Sequence, residues 1–380
     1  MATLFQFDAV ELPDYLNTKR EEVRAFLRRE YLPRKADFPN LFSPEFSRAC
    51  GEAGYIGMTW PKQFGGGEKS QLERYVICEE LLAAGAPVWA HWVADRQSGS
   101  MLLEYGVDRI KDELLPKMAA GECYFCIGFS EPDSGSDLFA ARATAKRADD
   151  GWVLNGTKLW TSGARQCHYM IALMRTDKPT ESNRRHGLTQ FLVPMDSPGI
   201  TVRPIKSMDG AAEFNEVHFD NVCIPEDHSL GEIDGAWKQA NRELAYERSG
   251  SERFLELFGV LQLFADHVHA NPQPHLKARL GHLVADLFSL RQMSLSVAMM
   301  LEQDKAPMVE AALVKDVATL WQQALPENIR NIMGSGSQPW KDDALNEAIN
   351  QTLRVAPKVT IQGGTTEVLR GMIARGIGLR

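Results

Sequence analysis

The sequence predicts an α+β chain in three parts: a helical N-terminal domain over residues 1–120, a β-barrel or sandwich over 121–232, and a C-terminal four-helix bundle over 233–380. Three observations carry this prediction. Apolar residues recur at helical spacing through the first third of the chain. Between Gly121 and Gly231, short alternating or apolar segments are separated by turn residues at regular intervals, the signature of a closed or sandwiched sheet. After Gly235 the turn residues thin out and long helical stripes take over.

Each element has its own signal. Arg20 to Tyr31 is amphipathic, Ser43-Pro-Glu supplies a cap and a first-position proline, and Ser70 to Ala84 carries Leu72, Val76, Ile77 and Leu81 on one face. Gly65-Gly-Gly67 and Gly106 mark turns. In the middle part, strands are expected at Tyr169–Met174, Gln190–Val193, Ile200–Pro204 and Glu216–Phe219. Turns are expected at Asp149-Asp-Gly151, Asn155-Gly156, Ser197-Pro-Gly199 and Asp209-Gly210. The bundle helices are expected at Trp237–Ala270, Leu276–Leu301, Met308–Met333 and from Thr365 onward, with breaks at Pro272 and Pro274 and across Gly334 to Pro339.

Composition narrows the function. A formal net charge of -8 with no basic block argues against nucleic acid as a partner. The acidic start lacks the bases of a targeting peptide, and no uninterrupted apolar run approaches the ~20 residues of a membrane span, so a cytoplasmic protein without membrane contact is expected. Six cysteines are too few for a disulfide framework, and Cys123 and Cys126, three apart on a strand, face opposite ways and cannot share a metal. No metal site is expected, and His267 and His269 read as surface groups.

The most informative stretch runs from Phe125 to Leu138. It opens as an apolar strand, breaks at Glu131-Pro132 and continues through Ser134, Gly135, Ser136 and Asp137, small residues whose amides and hydroxyls approach a ligand closely. Gly156 to Gly163 repeats the arrangement, ending in Trp160 with Thr161 and Ser162 beside it. The two together describe a site for a flat heterocycle with a polar edge. Neither a nucleophile elbow, a P-loop nor a dinucleotide-binding Gly-x-Gly-x-x-Gly turn is complete.

Four segments resemble the successive signatures of the acyl-CoA dehydrogenase family, in that family's order and spacing: Ser130-Glu-Pro-Asp-Ser-Gly-Ser-Asp137, Lys158-Leu-Trp-Thr-Ser162, Phe214-Asn-Glu-Val-His-Phe-Asp-Asn-Val222 and Gly363-Gly-Thr-Thr-Glu-Val-Leu-Arg370. The resemblance implies that family's fold, FAD as cofactor and α,β-dehydrogenation of an acyl-CoA thioester. It implies an electron-transferring flavoprotein as oxidant and a homo-oligomer, dimer or tetramer, or a hetero-oligomer with a related subunit. By the same resemblance Phe129, Ser130, Trp160, Thr161 and Ser162 contact the flavin, Thr365 and Glu367 contact FAD further along, and Ser136 and Arg248 contact the substrate. Trp89, His91, Trp92 and Arg96 fall near the acyl end, and two tryptophans there predict a short, ring-bearing or polar acyl group.

Dehydrogenation of a thioester needs a donor to the carbonyl oxygen and a base over the α-carbon. Many family members carry the base as Glu just before the C-terminal Gly-Thr, where this chain has Gly363; a second subgroup carries it as Glu before Arg on the first bundle helix, which here is Glu247-Arg248. Glu247 lies three residues after Leu244, seven after Ala240 and ten after Trp237, so it shares their stripe and would face inward. Partial desolvation there would raise its pKa toward the working pH. The structural alternative is an ion pair with Arg242 or Arg248. Gly363 would donate its amide to the thioester oxygen. Two departures stand out: residues 266–274 lack the family's Arg-x-x-Phe-Gly, and Asn331-Ile-Met-Gly334 replaces Gln-x-x-Gly-Gly, so FAD is expected to be held loosely. Rival readings are a flavin oxidase or monooxygenase on the same fold, and a weakly catalytic subunit that completes a partner's site.

Overall fold

The computed structural model describes residues 5–37, 41–236, 239, 248–303, 305–334 and 342–379. Among the described residues, the α-helices of five residues or more are α1 (Tyr15–Glu30), α2 (Pro44–Glu52), α3 (Gln71–Ala83), α4 (Trp89–Val93), α5 (Gly99–Tyr105), α6 (Asp108–Ala119), α7 (Phe258–Ala270), α8 (Pro274–Glu302), α9 (Met308–Gly334), α10 (Asp343–Val359) and α11 (Thr366–Gly376). The strands are β1 (Phe125–Gly128), β2 (Thr144–Ala148), β3 (Gly151–Ser162), β4 (Tyr169–Arg175), β5 (Leu188–Pro194), β6 (Ile200–Ile205), β7 (Phe214–Pro225) and β8 (Ser229–Leu230). As expected, Ser43 and Ser70 cap α2 and α3 by accepting from the Phe46 and Glu73 amides.

By their packing these elements form two compact units. One unit combines Met1–Pro33, Ser70–Ala86 and Ala245–Arg380; the other combines Arg34–Lys69 with Pro87–Leu244. The reason lies in which apolar stripe each helix presents. Leu16 of α1 and Leu72, Tyr75 and Val76 of α3 share a core with Leu295 and Ala298 of α8. Buried Glu79 of α3 pairs with both Arg20 of α1 and Arg291 of α8, at 2.6 Å each. Leu114, Leu115 and Met118 of α6 instead pack with Phe125, Ile171 and Leu192 of the sheet.

In the sheet-containing unit the strand order is β6-β7-β3-β2-β4-β5-β8, with β1 added parallel to β4. Strand alternation sends Met170, Ala172, Phe191 and Val193 to one face, where they join Trp152, Leu154 and Phe219. It sends Ile171 and Leu192 to the other, under α6. Asn155-Gly156, expected as a turn, lies inside β3 opposite a bulge of β7, where the register slips between Leu154 and Gly156. Gly156 sits at φ 138° with Ala143 so close that a Cβ would lie 2.6 Å from it, and Asn155 Oδ1 accepts from the Asn221 amide at 2.9 Å.

In the other unit, α7 to α10 enclose one core of Val260, Phe264, Leu283, Leu325, Ile329, Leu345 and Ile349. Helix α10 is absent from the expected set although Leu345, Ile349, Ala356 and Val359 are buried on one stripe. Asp342 caps it through the Leu345 amide at 3.0 Å and also accepts His267 Nδ1 at 2.9 Å, so His267 is a partly buried partner rather than a surface group. Helix α8, 29 residues long, reaches the length and mean hydropathy of a membrane span, which the sequence was not expected to contain. Its buried residues serve the core, and Arg291 is engaged by Glu79.

Candidate functional site

The residues expected around the heterocycle lie at the ends of β1 and β3. The Ser130 carbonyl accepts from the Leu159 amide at 2.8 Å, which ties the turn after β1 to the end of β3. Glu131 then makes a reciprocal backbone pair with Ser134 at 2.7 and 3.1 Å. Its carboxylate accepts from the Arg142 amide at 2.7 Å, the Ala143 amide at 3.0 Å and Lys158 Nζ at 2.7 Å. Lys158 has no exposed surface; its ammonium also reaches the carbonyls of Leu173 and Phe129. Burial pulls the Lys158 pKa down and the Glu131 charge opposes this.

This pair reshapes the strand. The register between β3 and β7 slips between Lys158 and Thr161, so both side chains point inward although they are three residues apart. Trp160, between them, takes φ 62° and leaves its indole 56% exposed, edge-on to Phe214 at 6.1 Å. A tryptophan in the left-handed region costs about 1–3 kcal/mol and persists only where its surroundings impose it. Here Leu159 is held by Ser130, and Asn215 Nδ2 donates to the Thr161 carbonyl at 3.0 Å.

Ser162 is half-buried beside Trp160, as is Ser130 on the neighbouring turn, and neither hydroxyl is hydrogen-bonded among the described residues. The side chains of Thr161 and Ser162 face opposite ways. Thr161 is 1% exposed because the bulge turns it inward, and its buried hydroxyl has no hydrogen-bond partner among the described residues. Phe129 is half-buried against the core under this edge. An exposed indole beside two unengaged hydroxyls fits a flat ring with a polar rim, which is what a flavin presents. Ser136 and Gly135 are exposed, and nothing lies within 4 Å of where a Cβ on Gly135 would stand.

The C-terminal signature forms a second constellation. Gly363 and Gly364 both have positive φ, 67° and 105°. Arg248, 3% exposed, donates from Nε to the Gly363 carbonyl at 3.2 Å, so it anchors this turn from inside. Lys315 Nζ, fully buried, donates to the Gly364 carbonyl at 2.7 Å and the Thr360 carbonyl at 2.9 Å. The Gly363 amide donates to no acceptor among the described residues. Thr365 then caps α11 through the Val368 amide. Exposed Glu367 in the first turn has its pKa lowered by a backbone amide and by the Thr365 hydroxyl. Glu247 lies outside the described residues, as do Trp237, Ala240 and Leu244 of its stripe.

At the expected acyl end, Trp92 is 3% exposed and Trp89 is half-buried, with their rings 6.5 Å apart. Arg96 lies over the Trp92 ring at 5.7 Å. Buried His91 meets Ser47 Oγ at 3.0 Å, and burial lowers its pKa to about 4, which keeps it neutral. The helix between α4 and α5 is wound as a π-turn over Ala94–Ser98, where Asp95 accepts the Gly57 amide at 2.7 Å. A cavity of about 560 Å³ in the same unit opens elsewhere, beside Cys123, Cys167, His168 and Tyr169. Burial pushes the Cys123 thiol up to about 12, so it offers no thiolate.

Three residues that sequence reasoning gave no role prove central: Glu131, Lys158 and Lys315. Lys158 shares the inward face of Trp152 and Leu154 by simple alternation, and the bulge that follows it leaves Trp160 exposed and turns Thr161 inward. Lys315 carries a detectable signal, since it stands among Ala311, Ala312, Val314 and Ala318 on the apolar face of α9.

Comparisons with known proteins fall along the whole chain. It matches the family descriptions "Acyl-CoA dehydrogenase, N-terminal domain" over residues 16–122, "Acyl-CoA dehydrogenase, middle domain" over 126–222 and "Acyl-CoA dehydrogenase, C-terminal domain" over 237–378. It is 31% identical to acyl-CoA dehydrogenase IpdE1 of Mycobacterium tuberculosis, over 86% of this chain and 85% of that one. It is 26% identical to the mitochondrial short-chain specific acyl-CoA dehydrogenase of Rattus norvegicus, over 97% and 91%. Among solved structures, the Tcur3481-Tcur3483 steroid ACAD superposes with a TM-score of 0.85 at 28% identity, covering 97% of this chain and 99% of that one.

Proposed function

The chain belongs to the acyl-CoA dehydrogenase family of oxidoreductases, and from that premise we propose that it oxidises a ring-bearing acyl-CoA thioester to its trans-2-enoyl-CoA, with FAD as hydride acceptor and Glu247 as base. The observation that carries the reading is Trp160, a strained and exposed indole held in place by a buried ion pair. Such an arrangement is costly to maintain unless a planar ligand lies against it.

Phe129, Ser130, Trp160, Thr161 and Ser162 would hold the flavin, and Thr365 and Glu367 would hold the rest of FAD. When bound, FAD supplies the two-electron acceptor for the hydride leaving the β-carbon. The Gly363 amide donates to the thioester oxygen as negative charge develops there, which acidifies the α-carbon. Glu247 takes the α-proton, and the spacing that puts it in one sequence stripe with Leu244, Ala240 and Trp237 suits this, because a desolvated carboxylate gains proton affinity. Ser136, exposed on the small-residue loop, contacts the pantetheine arm. Arg248 acts through Gly363 rather than on the substrate. The ring-bearing acyl group rests on Trp89 and on the steroid named for the similar solved structure. An electron-transferring flavoprotein is the oxidant.

A second reading concerns assembly. Residues 266–274 lack the family's arginine, and the similar solved structure is named for two proteins together. Both favour a hetero-oligomer in which a related subunit completes the FAD contacts.

The test is anaerobic single-turnover bleaching of the bound flavin with an acyl-CoA panel that includes ring-bearing thioesters. Wild-type protein should bleach with at least one, and Glu247→Gln should keep fold, yellow colour and thioester binding yet bleach at least ~10²-fold more slowly. Bleaching of the variant at the wild-type rate would assign the proton to another group. A protein that cannot be reconstituted with FAD would overturn the enzyme reading.

A further inference from the structure

We propose that Lys315 is a positioning residue for the Gly363 amide: it aims that donor at the thioester oxygen by clamping the turn that carries it. The proposal rests on the dehydrogenase reading above. Its basis is the placement of one buried ammonium against two carbonyls that bracket the turn. Thr360 closes α10, and Gly364 precedes the Thr365 cap of α11. Lys315 Nζ donates to both carbonyls, at 2.9 and 2.7 Å, and so joins the two ends of the segment 360–364. Arg248 takes the carbonyl of Gly363 between them at 3.2 Å.

The turn needs such a clamp because of its own sequence. Two consecutive glycines have no Cβ to restrict them, and both lie in backbone regions where peptide planes rotate easily. A donor that stabilises developing charge must be aimed before the charge appears, and an error of about 1 Å costs of order 10²-fold in rate. Cations on the Gly363 and Gly364 carbonyls remove the freedom that the glycines introduce.

The choice of lysine also argues for more than space-filling. An apolar side chain of the same length would fill the interior of α9 without the desolvation cost of an ammonium. Lys315 instead sits at the C-terminal end of α10, where the helix dipole favours a cation. The next residue, Asp316, accepts Arg370 Nε of α11 at 3.1 Å. A single turn of α9 thus anchors the segment before Thr365 and the helix after it.

The experiment reads the hydrogen bond itself. Cinnamoyl-CoA labelled with ¹³C at the thioester carbonyl is bound to the FAD-loaded protein, and its carbonyl stretch is recorded by difference infrared spectroscopy. Wild type should shift the stretch to lower frequency on binding. Lys315→Met should lose at least half of that shift and slow single-turnover flavin reduction about ten- to a hundredfold, while cinnamoyl-CoA affinity changes less than about threefold. Lys315→Arg, which keeps charge and donors, should recover most of both. If Lys315→Met does not fold, Lys315→Gln is read in the same way. A folded Lys315→Met or Lys315→Gln variant with the wild-type shift and rate, whatever its melting temperature, overturns the positioning role and leaves the dehydrogenase reading standing. Wild-type protein that binds the thioester without shifting its carbonyl overturns the role of the Gly363 amide and this proposal with it.

Discussion

Replacing Lys158 by methionine removes one half of the buried pair beneath Trp160 while keeping the chain length. The change leaves the Glu131 carboxylate, 8% exposed, without its cation and leaves the Leu173 carbonyl without its ammonium donor. Breaking a buried pair costs about 3–5 kcal/mol. Glu131 keeps the Arg142 and Ala143 amides, so the lower end, about 3 kcal/mol, applies. With a urea dependence of about 2–3 kcal/mol per molar, the midpoint for the sheet-containing unit should fall by roughly 1–1.5 M. The released bulge should also let Trp160 leave its left-handed conformation and weaken FAD retention. Urea titration of the FAD-free protein measures the first effect, and equilibrium dialysis of FAD the second. Glu131→Gln combined with Lys158→Met should be less damaging than the sum of the single changes by about 2 kcal/mol, because the stranded charge is gone. A midpoint shift below roughly 0.3 M, or single effects that simply add, would refute the pair as the element holding the two segments together.

Beyond the Glu247 and Lys315 variants described above, two further outcomes follow from charge and capping. The His186 pKa is raised by Asp234 first and then Asp177, so its contribution to stability is fully present below the ordinary value of 6.5 and is lost as pH rises through the higher folded value. Melting temperature should therefore fall across that window in wild type and stay flatter in His186→Asn. Asp342→Ala removes the cap of α10 together with the His267 contact and should cost about 1 kcal/mol or somewhat more, read as a lower thermal midpoint. Because the Leu345 amide and then His267 hold the Asp342 carboxyl below its ordinary range, the difference between wild type and variant should shrink as acid titrates the carboxylate through its lowered pKa.

What the sequence by itself determined is local or repeats a pattern. Serines followed three residues later by a free amide cap α2 and α3, alternation places β4 and β5, and four short segments in fixed order identify the family, because each signal is contained in a few consecutive residues. What tertiary structure decided depends on partners distant in the chain. The assignment of α1 and α3 to the bundle unit rests on Leu295 and Arg291, more than two hundred residues beyond α3. The partner that holds Lys158, Glu131, and the bulge that follows Lys158, set by the pairing with β7, are both outside what simple alternation records. Thr161 enters the core through that bulge, while Trp160 is left on the open edge. Lys315 was readable as a lysine on an apolar stripe, but not as the clamp of a diglycine turn 45–49 residues away, since hydrogen bonds of that span are fixed only when α9, α10 and α11 pack. Periodicity records which face a residue prefers; which carbonyl a buried cation meets is decided by the fold that surrounds it.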